Sequence, residues 1–206
     1  MCPVIYSVSV KLMAGIEEQL RLAWHGLSRD FPAYALVMPG DPSFICQAEA
    51  CDAHCCRAFS VPLGEGEVER MTKFSGFSPG RFLESEAGEP LALPMVQPYL
   101  LARNEGSCIL LREDRGCGQY AGRPDACRMY PHQLVVVENG RAAFAAGNAV
   151  VRRGLESMAA DTGPAPVTVL LLRHRECPGF TGSPLTIAEW FRTLYETCDL
   201  QFPIGN

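Results

Sequence analysis

Cysteine is the residue type in this chain with the clearest potential for chemistry. The 206 residues include ten cysteines, more than packing alone requires. Eight of them fall into three segments of the chain: Cys46, Cys51, Cys55 and Cys56, then Cys108, Cys117 and Cys127, then Cys177. Thiolates bind Zn²⁺ or iron–sulfur clusters in sets of four. Eight thiols therefore suffice for two tetrathiolate sites, or for one cluster and one structural ion.

The first segment has the character of a ligand loop. Its four cysteines stand among polar residues such as Asp52 and His54, so burial in a core does not explain them. Adjacent side chains diverge in an extended segment, and the Cys55–Cys56 pair then fits two neighbouring centres or one cluster better than one small ion. This favours an iron–sulfur centre slightly over zinc. In an oxidising compartment the same cysteines would form disulfides instead.

Other side chains lie near these cysteines in the sequence. Histidine is a common zinc ligand, and arginines can offset thiolate charge and ease deprotonation. With eight thiols available, histidine ligands are not needed, and ion-paired arginines and a packed tyrosine are equally consistent with the pattern. The candidates are His54, His132, His174, Arg123, Arg128 and Tyr130. Cys2 and Cys198 lie outside the three segments, and we expect a chain terminus and a helix core position for them.

Composition excludes several classes of protein. The net charge is −5 and no basic stripe is present, so a nucleic-acid partner is not expected. No apolar run approaches the length of a membrane span, and the N-terminal sequence lacks the pattern of a signal peptide. We therefore expect a cytoplasmic protein with reduced thiols. Motifs for dinucleotide binding, P-loops, serine hydrolases, radical enzymes and zinc proteases are absent.

The rest of the sequence predicts the elements that position the cysteines. Helical periodicity predicts helices over 12–27, 64–74, 150–160 and 187–198, with a short helix after Pro94. Strands are predicted at 32–38, 58–63, 108–112 and 166–173. Asn139-Gly140 predicts a type I′ turn joining strands 133–138 and 141–146. We predict one α+β domain over 1–206, in which a small antiparallel sheet is flanked by helices (10–28 and 186–199 among them) and long loops carry the cysteines.

These segments resemble the YkgJ-type cysteine-cluster proteins, an eight-cysteine family described as zinc- or iron-chelating. The matching stretches are Phe44–Cys46, Cys51–Cys56, Cys108–Leu111, Cys117–Tyr120, Arg123-Pro124, Cys127–Pro131 and Cys177–Gly179. The resemblance covers about 44–180 and implies that the eight cysteines of the three segments are metal ligands. The spacing of Cys46 and Cys51 is also similar to that in flagellin lysine N-methylases, longer chains described with an iron–sulfur centre.

Three functions follow as hypotheses. The first is a cytosolic metal-binding protein whose iron–sulfur cluster or zinc has a structural or redox role in a maturation or modification pathway. The second is an enzyme that modifies proteins or peptides, by analogy with the lysine methylases. The third is a metal carrier or sensor. A protein or peptide partner is compatible with each of them, whereas nucleic acid and membrane are not expected.

Overall fold

The computed structural model describes residues 10–144, 146–160 and 167–203; the predicted terminal position of Cys2 lies outside them. The helices are α1 (Val10–Leu27), α2 (His54–Ala58), α3 (Glu65–Ser75), α4 (Asp125–Met129), α5 (Asn148–Ala160) and α6 (Ile187–Gln201). The strands are β1 (Tyr34–Leu36), β2 (Pro42–Phe44), β3 (Pro62–Leu63), β4 (Ser85–Glu86), β5 (Glu89–Pro90), β6 (Tyr99–Leu100), β7 (Arg103–Asn104), β8 (Ser107–Cys108), β9 (His132–Glu138), β10 (Arg141–Ala142), β11 (Thr168–His174) and β12 (Phe180–Pro184). The predicted α+β class is confirmed.

The chain forms two compact units. One comprises Met1–Ile45 and Pro131–Asn206 and is called the sheet unit; the other comprises Cys46–Tyr130 and is called the cysteine unit. Seven of the eight ligand candidates lie in the cysteine unit, and Cys177 lies in the sheet unit. The expectation that residues 1–206 act as one domain stays a prediction.

The sheet unit is built on a four-stranded antiparallel sheet in the order β1-β11-β9-β10. In β11, the four consecutive residues from Val169 to Leu172 are completely buried. Because successive side chains of a strand point to opposite faces, both faces of the sheet must be covered. Helices α1 and α5 pack on β11, and α6 packs on β9. The buried Trp190 of α6 donates a hydrogen bond from its ring nitrogen to the carbonyl of Val37, at 2.9 Å.

One local prediction is confirmed in this unit, and a second local motif is found at α6. Asn139 and Gly140 have φ values of +50° and +75° and join β9 to β10, as a type I′ turn requires. Thr186 and Glu189 form the capping box of α6: Glu189 N–H donates to the Thr186 hydroxyl, and Thr186 N–H donates to the Glu189 carboxylate. Both motifs depend on neighbouring residues, so the surrounding fold has little influence on them.

The cysteine unit contains little regular structure. Its strands are two residues long and pair as β3–β6, β4–β5 and β7–β8. A small apolar core fixes α3 to these pairs, and its most buried members are Leu63, Met71 and Phe82. The unit therefore relies on loops, hydrogen bonds and turns to place its cysteines.

Several predictions in the cysteine unit need correction. Helix α3 forms as expected, between Glu65 and Ser75. Residues after Pro94 form bends and no helix, and the predicted strands 58–63 and 108–112 shrink to β3 and to the end of β8. Short strands without a wide sheet behind them give no periodic signal in the sequence. No helix in the described ranges has the length and hydropathy needed to span a membrane.

Candidate metal centre

Helix α2 brings the adjacent cysteines together. It follows Ala53, which has a left-handed backbone with φ of +61°. Within its single turn, the sulfur atoms of Cys55 and Cys56 lie 3.8 Å apart. The segment is thus helical where the sequence analysis assumed an extended one, and the two side chains do not diverge. The spacing of this pair therefore does not favour a large cluster over a single ion.

Cys108 supplies a third sulfur from β8. The Cys56 thiol has one proton that either the Cys55 or the Cys108 sulfur can accept, and this hydrogen bond lowers the pKa of the accepting thiol to about 7. The same contacts, followed by burial, raise the pKa of Cys56. The backbone N–H of Leu110 also donates to the sulfur of Cys108, at 3.5 Å. Cys55, Cys56 and Cys108 therefore form one sulfur contact, which lies at the heart of the candidate metal centre.

Three further cysteines lie within electrostatic range of this contact. Burial raises the pKa of Cys46, Cys117 and Cys127, in the last case to about 12, and the negative charge of Cys55 contributes to each increase. The charge of Cys108 acts in the same way on Cys117 and Cys127.

A turn lies between Cys108 and Cys117. Arg112 N–H donates to the carbonyl of Gly116 at 3.0 Å, and Leu111 pairs with Cys117 across it. The turn therefore returns Cys117 toward the strand that carries Cys108.

The last two candidates are placed differently. Cys51 is close enough to affect the pKa of Cys46, and its sulfur lies 3.9 Å from Oδ1 of Asp52. Cys177 follows β11 in the sheet unit, and its N–H donates to the carbonyl of His174 at 3.3 Å. Membership of Cys177 in the ligand set stays a prediction. Cys198, expected in a helix core, is completely buried in α6.

The geometry satisfies part of what a metal site requires. Among the described residues, no group of three or more histidine, cysteine, aspartate or glutamate side chains is arranged to bind one ion. The sulfurs of Cys55 and Cys56 are nevertheless separated by 3.8 Å, which matches the edge of about 3.8 Å in a tetrahedron with Zn–S bonds of about 2.3 Å. The donor chemistry therefore fits zinc or iron, and side-chain movement is needed to close the site.

The three histidines near the cysteines have different surroundings. His54 begins α2 and lies edge-on to Phe59, with ring centroids 5.6 Å apart. His132 belongs to the sheet unit, where it lies edge-on to both Phe44 and Phe180, and its burial lowers its pKa to about 4. His174, also in the sheet unit, is buried, and its Nδ1 accepts a hydrogen bond from Glu176 N–H.

Arg123 is a cation that acts on several of the thiols. Its guanidinium carbon lies 3.8 Å from the centroid of the Tyr120 ring, and its Nε donates to the Tyr120 carbonyl at 3.1 Å. Its positive charge favours the thiolate form of four cysteines. It contributes to the lowered pKa of Cys55, and it offsets part of the increase in the pKa of Cys46, Cys117 and Cys127. Arg128 instead pairs with Asp125 at 3.0 Å, and Tyr130 packs on Phe59. The two arginines of the sequence pattern thus have separate roles.

Two charged residues outside the cysteine pattern hold the segments that carry the cysteines. Glu67 of α3 is buried, and its Oε1 accepts a hydrogen bond from the N–H of Asp125, the first residue of α4, at 2.8 Å. Arg103 of β7 lies opposite Cys108 in the β7–β8 pair and reaches α2. Their partners are distant in sequence, so spacing gave no sign of them.

Comparison with known proteins agrees with this site. Residues 45–150 match the family model CxxCxxCC, described as "Putative zinc- or iron-chelating domain". No curated protein and no solved structure matches the chain. The matched residues make up half of the chain and include all seven candidate cysteines of the cysteine unit, from Cys46 to Cys127. The chain therefore belongs to the CxxCxxCC family of zinc- or iron-chelating domains.

Proposed function

We propose that the cysteine unit binds a divalent transition-metal ion directly through thiolates, that this ion is Zn²⁺, and that it has a structural role. The observation that carries the proposal is the contact among Cys55, Cys56 and Cys108, in which two sulfurs already have the spacing of a zinc–thiolate tetrahedron. The fourth ligand comes from Cys117 or Cys127, since each lies in electrostatic range of both Cys55 and Cys108.

A structural role follows from the architecture of this unit. The thiols in contact belong to α2 and β8, and the candidates for the fourth ligand belong to the turn after β8 and to α4. Two-residue strands and a helix of five residues contribute little stability alone. A zinc ion bound by these segments would link them, with a binding free energy of about 10–16 kcal/mol in small zinc domains. Such a site needs reduced thiols, and we accordingly place the protein in the cytoplasm.

One observation favours an iron–sulfur centre as the second candidate. The unit holds seven cysteines, which is three more than one zinc ion needs. Arg123 acts on four of them and would offset part of the charge of a tetrathiolate cluster. Under this alternative the protein has a redox role.

Anaerobic purification followed by metal analysis, sulfide analysis and a visible spectrum tests the proposal. We expect a colourless protein with bound zinc and no acid-labile sulfide. Replacement of zinc by Co²⁺ should give the intense bands of tetrahedral cobalt–thiolate coordination. A brown protein containing iron and acid-labile sulfide would overturn the zinc assignment in favour of the cluster. A protein that neither retains metal nor binds added Zn²⁺ or Co²⁺ would overturn the metal-binding function itself.

A further inference from the structure

Arg103 connects the two segments whose sulfurs are in contact. It lies directly opposite Cys108 in the β7–β8 pair. Its guanidinium extends to the C-terminal end of α2, where it donates to the carbonyls of Arg57 and Phe59. It also donates to the carbonyl of Gly106, in the turn between β7 and β8. One side chain therefore joins the helix of Cys55 and Cys56 to the hairpin of Cys108.

The chemistry of arginine suits this position. The last carbonyls of a helix lack partners within the helix, and α2 is only five residues long. A guanidinium has five donors in a rigid plane, so it can bind several carbonyls at once, whereas an ammonium group acts as a point charge. The backbone of Arg103 is fixed as well, since its N–H donates to Oε1 of Glu84 at 2.9 Å.

We propose that Arg103 is a positioning residue of the metal centre, which sets the separation of Cys56 and Cys108 by holding α2 against β8. This inference rests on the function proposed above for the cysteine unit. Arg103 also acts through charge, because it contributes to the lowered pKa of Cys108. A lysine at this position keeps the charge and loses the planar set of donors, so Arg103→Lys separates positioning from electrostatics.

The first test compares Co²⁺ binding by the full-length chain and two variants. Arg103→Lys is the test variant, and Arg81→Lys is the control, since Arg81 is exposed and its guanidinium carbon lies 5.1 Å from the Phe77 ring centroid in the same unit. In anaerobic competition with a chelator, Arg103→Lys should bind Co²⁺ about tenfold more weakly, as is typical for loss of a residue that orients ligands. Its cobalt–thiolate absorption should also change. Arg81→Lys should match the wild type. Wild-type affinity and spectrum in Arg103→Lys would overturn the proposal.

The second test needs no metal, so it separates the two proposals. Phenylarsine oxide bridges two neighbouring thiols with loss of water, and peptide mass mapping identifies the bridged pair. Wild type and Arg81→Lys should yield an adduct between Cys56 and Cys108. Arg103→Lys should lose that adduct and retain the one between Cys55 and Cys56, whose spacing is local to α2. Arg103→Gln, which lacks the charge, serves as a second variant with the same expected loss.

The possible outcomes can be told apart. If wild type binds no Co²⁺ but the arsenical adducts change as expected, the proposed function is wrong and the positioning role is supported. If wild type binds Co²⁺ and the adduct between Cys56 and Cys108 is undiminished in both Arg103 variants, the positioning role is wrong and the proposed function is unaffected. Circular dichroism spectra that match the wild type establish that each variant is folded.

Discussion

The sulfur atoms of Cys55 and Cys56 lie 3.8 Å apart although the two residues are adjacent in the chain. The spacing arises because both belong to the single turn of α2, where the Cys56 thiol also contacts Cys108. An adjacent pair in this conformation can contribute both sulfurs to one ion. Cys56 is accordingly the cysteine whose replacement should affect the centre most directly.

We expect Cys56→Ser to lose most of its bound metal. Zinc sites in small domains contribute about 10–16 kcal/mol, so loss of one of four thiolates should weaken binding by roughly 100-fold or more. Metal content after dialysis against a weak chelator measures the loss. The matched control is Cys198→Ala, since Cys198 is buried in α6 of the sheet unit. The control should keep the wild-type metal content, and full retention of metal by Cys56→Ser would remove Cys56 from the ligand set.

Glu67 should matter more for stability than the other capping glutamate, Glu189. The buried Glu67 carboxylate accepts hydrogen bonds from the N–H groups of Gly64 and Asp125 and from the side chain of Gln97, at 2.8–3.1 Å. Glu67→Gln replaces one acceptor oxygen by a donor and leaves a buried group unsatisfied, at a cost of about 1–3 kcal/mol. The Glu189 side chain is 44 % exposed, and its hydrogen bonds cap only α6, so Glu189→Gln should cost about 1 kcal/mol or less.

Denaturant unfolding of the metal-free protein, followed by circular dichroism, compares these two glutamate variants. The comparison is matched because each substitution exchanges the same atoms in a glutamate at the third position of a helix. Equal losses of unfolding free energy would show that the hydrogen bond from Asp125 N–H, at the start of α4, to Glu67 contributes nothing to stability.

Stability of the sheet unit should depend on pH through His132. Burial lowers the pKa of His132 in the folded protein to about 4, below its ordinary value of 6.5. Folding then disfavours the proton, so the contribution to stability is complete above pH 6.5 and is lost as the pH falls toward 4. The loss by pH 4 is about 3 kcal/mol. Urea unfolding followed by the fluorescence of Trp24 and Trp190 measures it at several pH values.

A phenylalanine at position 132 provides the control for this pH effect. Phe44 and Phe180 both lie edge-on to the histidine ring, so an aromatic ring is retained while the titration is removed. His132→Phe should show a smaller loss of stability between pH 6.5 and 4 than the wild type. The same pH dependence in both proteins would assign it to other groups.

The elements that could be predicted from sequence are those with local or periodic signals. Helices α1, α3, α5 and α6 show helical periodicity, and the turn at Asn139-Gly140 and the cap of α6 depend on neighbouring residues. Helix α2 is too short to show helical periodicity. It follows an alanine with positive φ, and the sequence does not predict this conformation because alanine rarely adopts it. That helix decides how Cys55 and Cys56 are arranged. The expectation that the two side chains diverge in an extended segment was therefore wrong.

The cysteine ligands of the site could be predicted from the sequence, whereas the residues that hold their segments in place could not. Cysteine spacing identified the thiols because metal chemistry restricts which residue types can serve. Arg103 and Glu67 act on partners 44 and 58 residues away, respectively, and an isolated arginine or glutamate has no distinguishing pattern. Spacing also gave no sign that Cys177 lies in a different compact unit from the other seven candidates.

Two glycine-to-alanine substitutions in helices of the sheet unit should change stability in opposite directions. In α5, a Cβ at Gly154 would lie 2.7 Å from Cγ2 of Val167 and 3.1 Å from Cγ2 of Val169. Both valines are buried, so the helix must move or the side chains must adopt strained rotamers. Overpacking of this kind costs about 1–3 kcal/mol. The gain in helix propensity, about 1 kcal/mol, offsets only part of that cost.

Gly15 of α1 is the matched control because no atom of the part of the chain that the structure describes lies within 4 Å of its added Cβ. Gly15→Ala should therefore gain about 0.5–1 kcal/mol from the reduced freedom of the unfolded chain. Urea unfolding by tryptophan fluorescence compares both variants with the wild type, since both tryptophans lie in this unit. If Gly154→Ala is as stabilising as Gly15→Ala, α5 does not pack on β11 at the separation described. A loss confined to Gly154→Ala supports that close packing, because the two substitutions add the same methyl group to the same type of element.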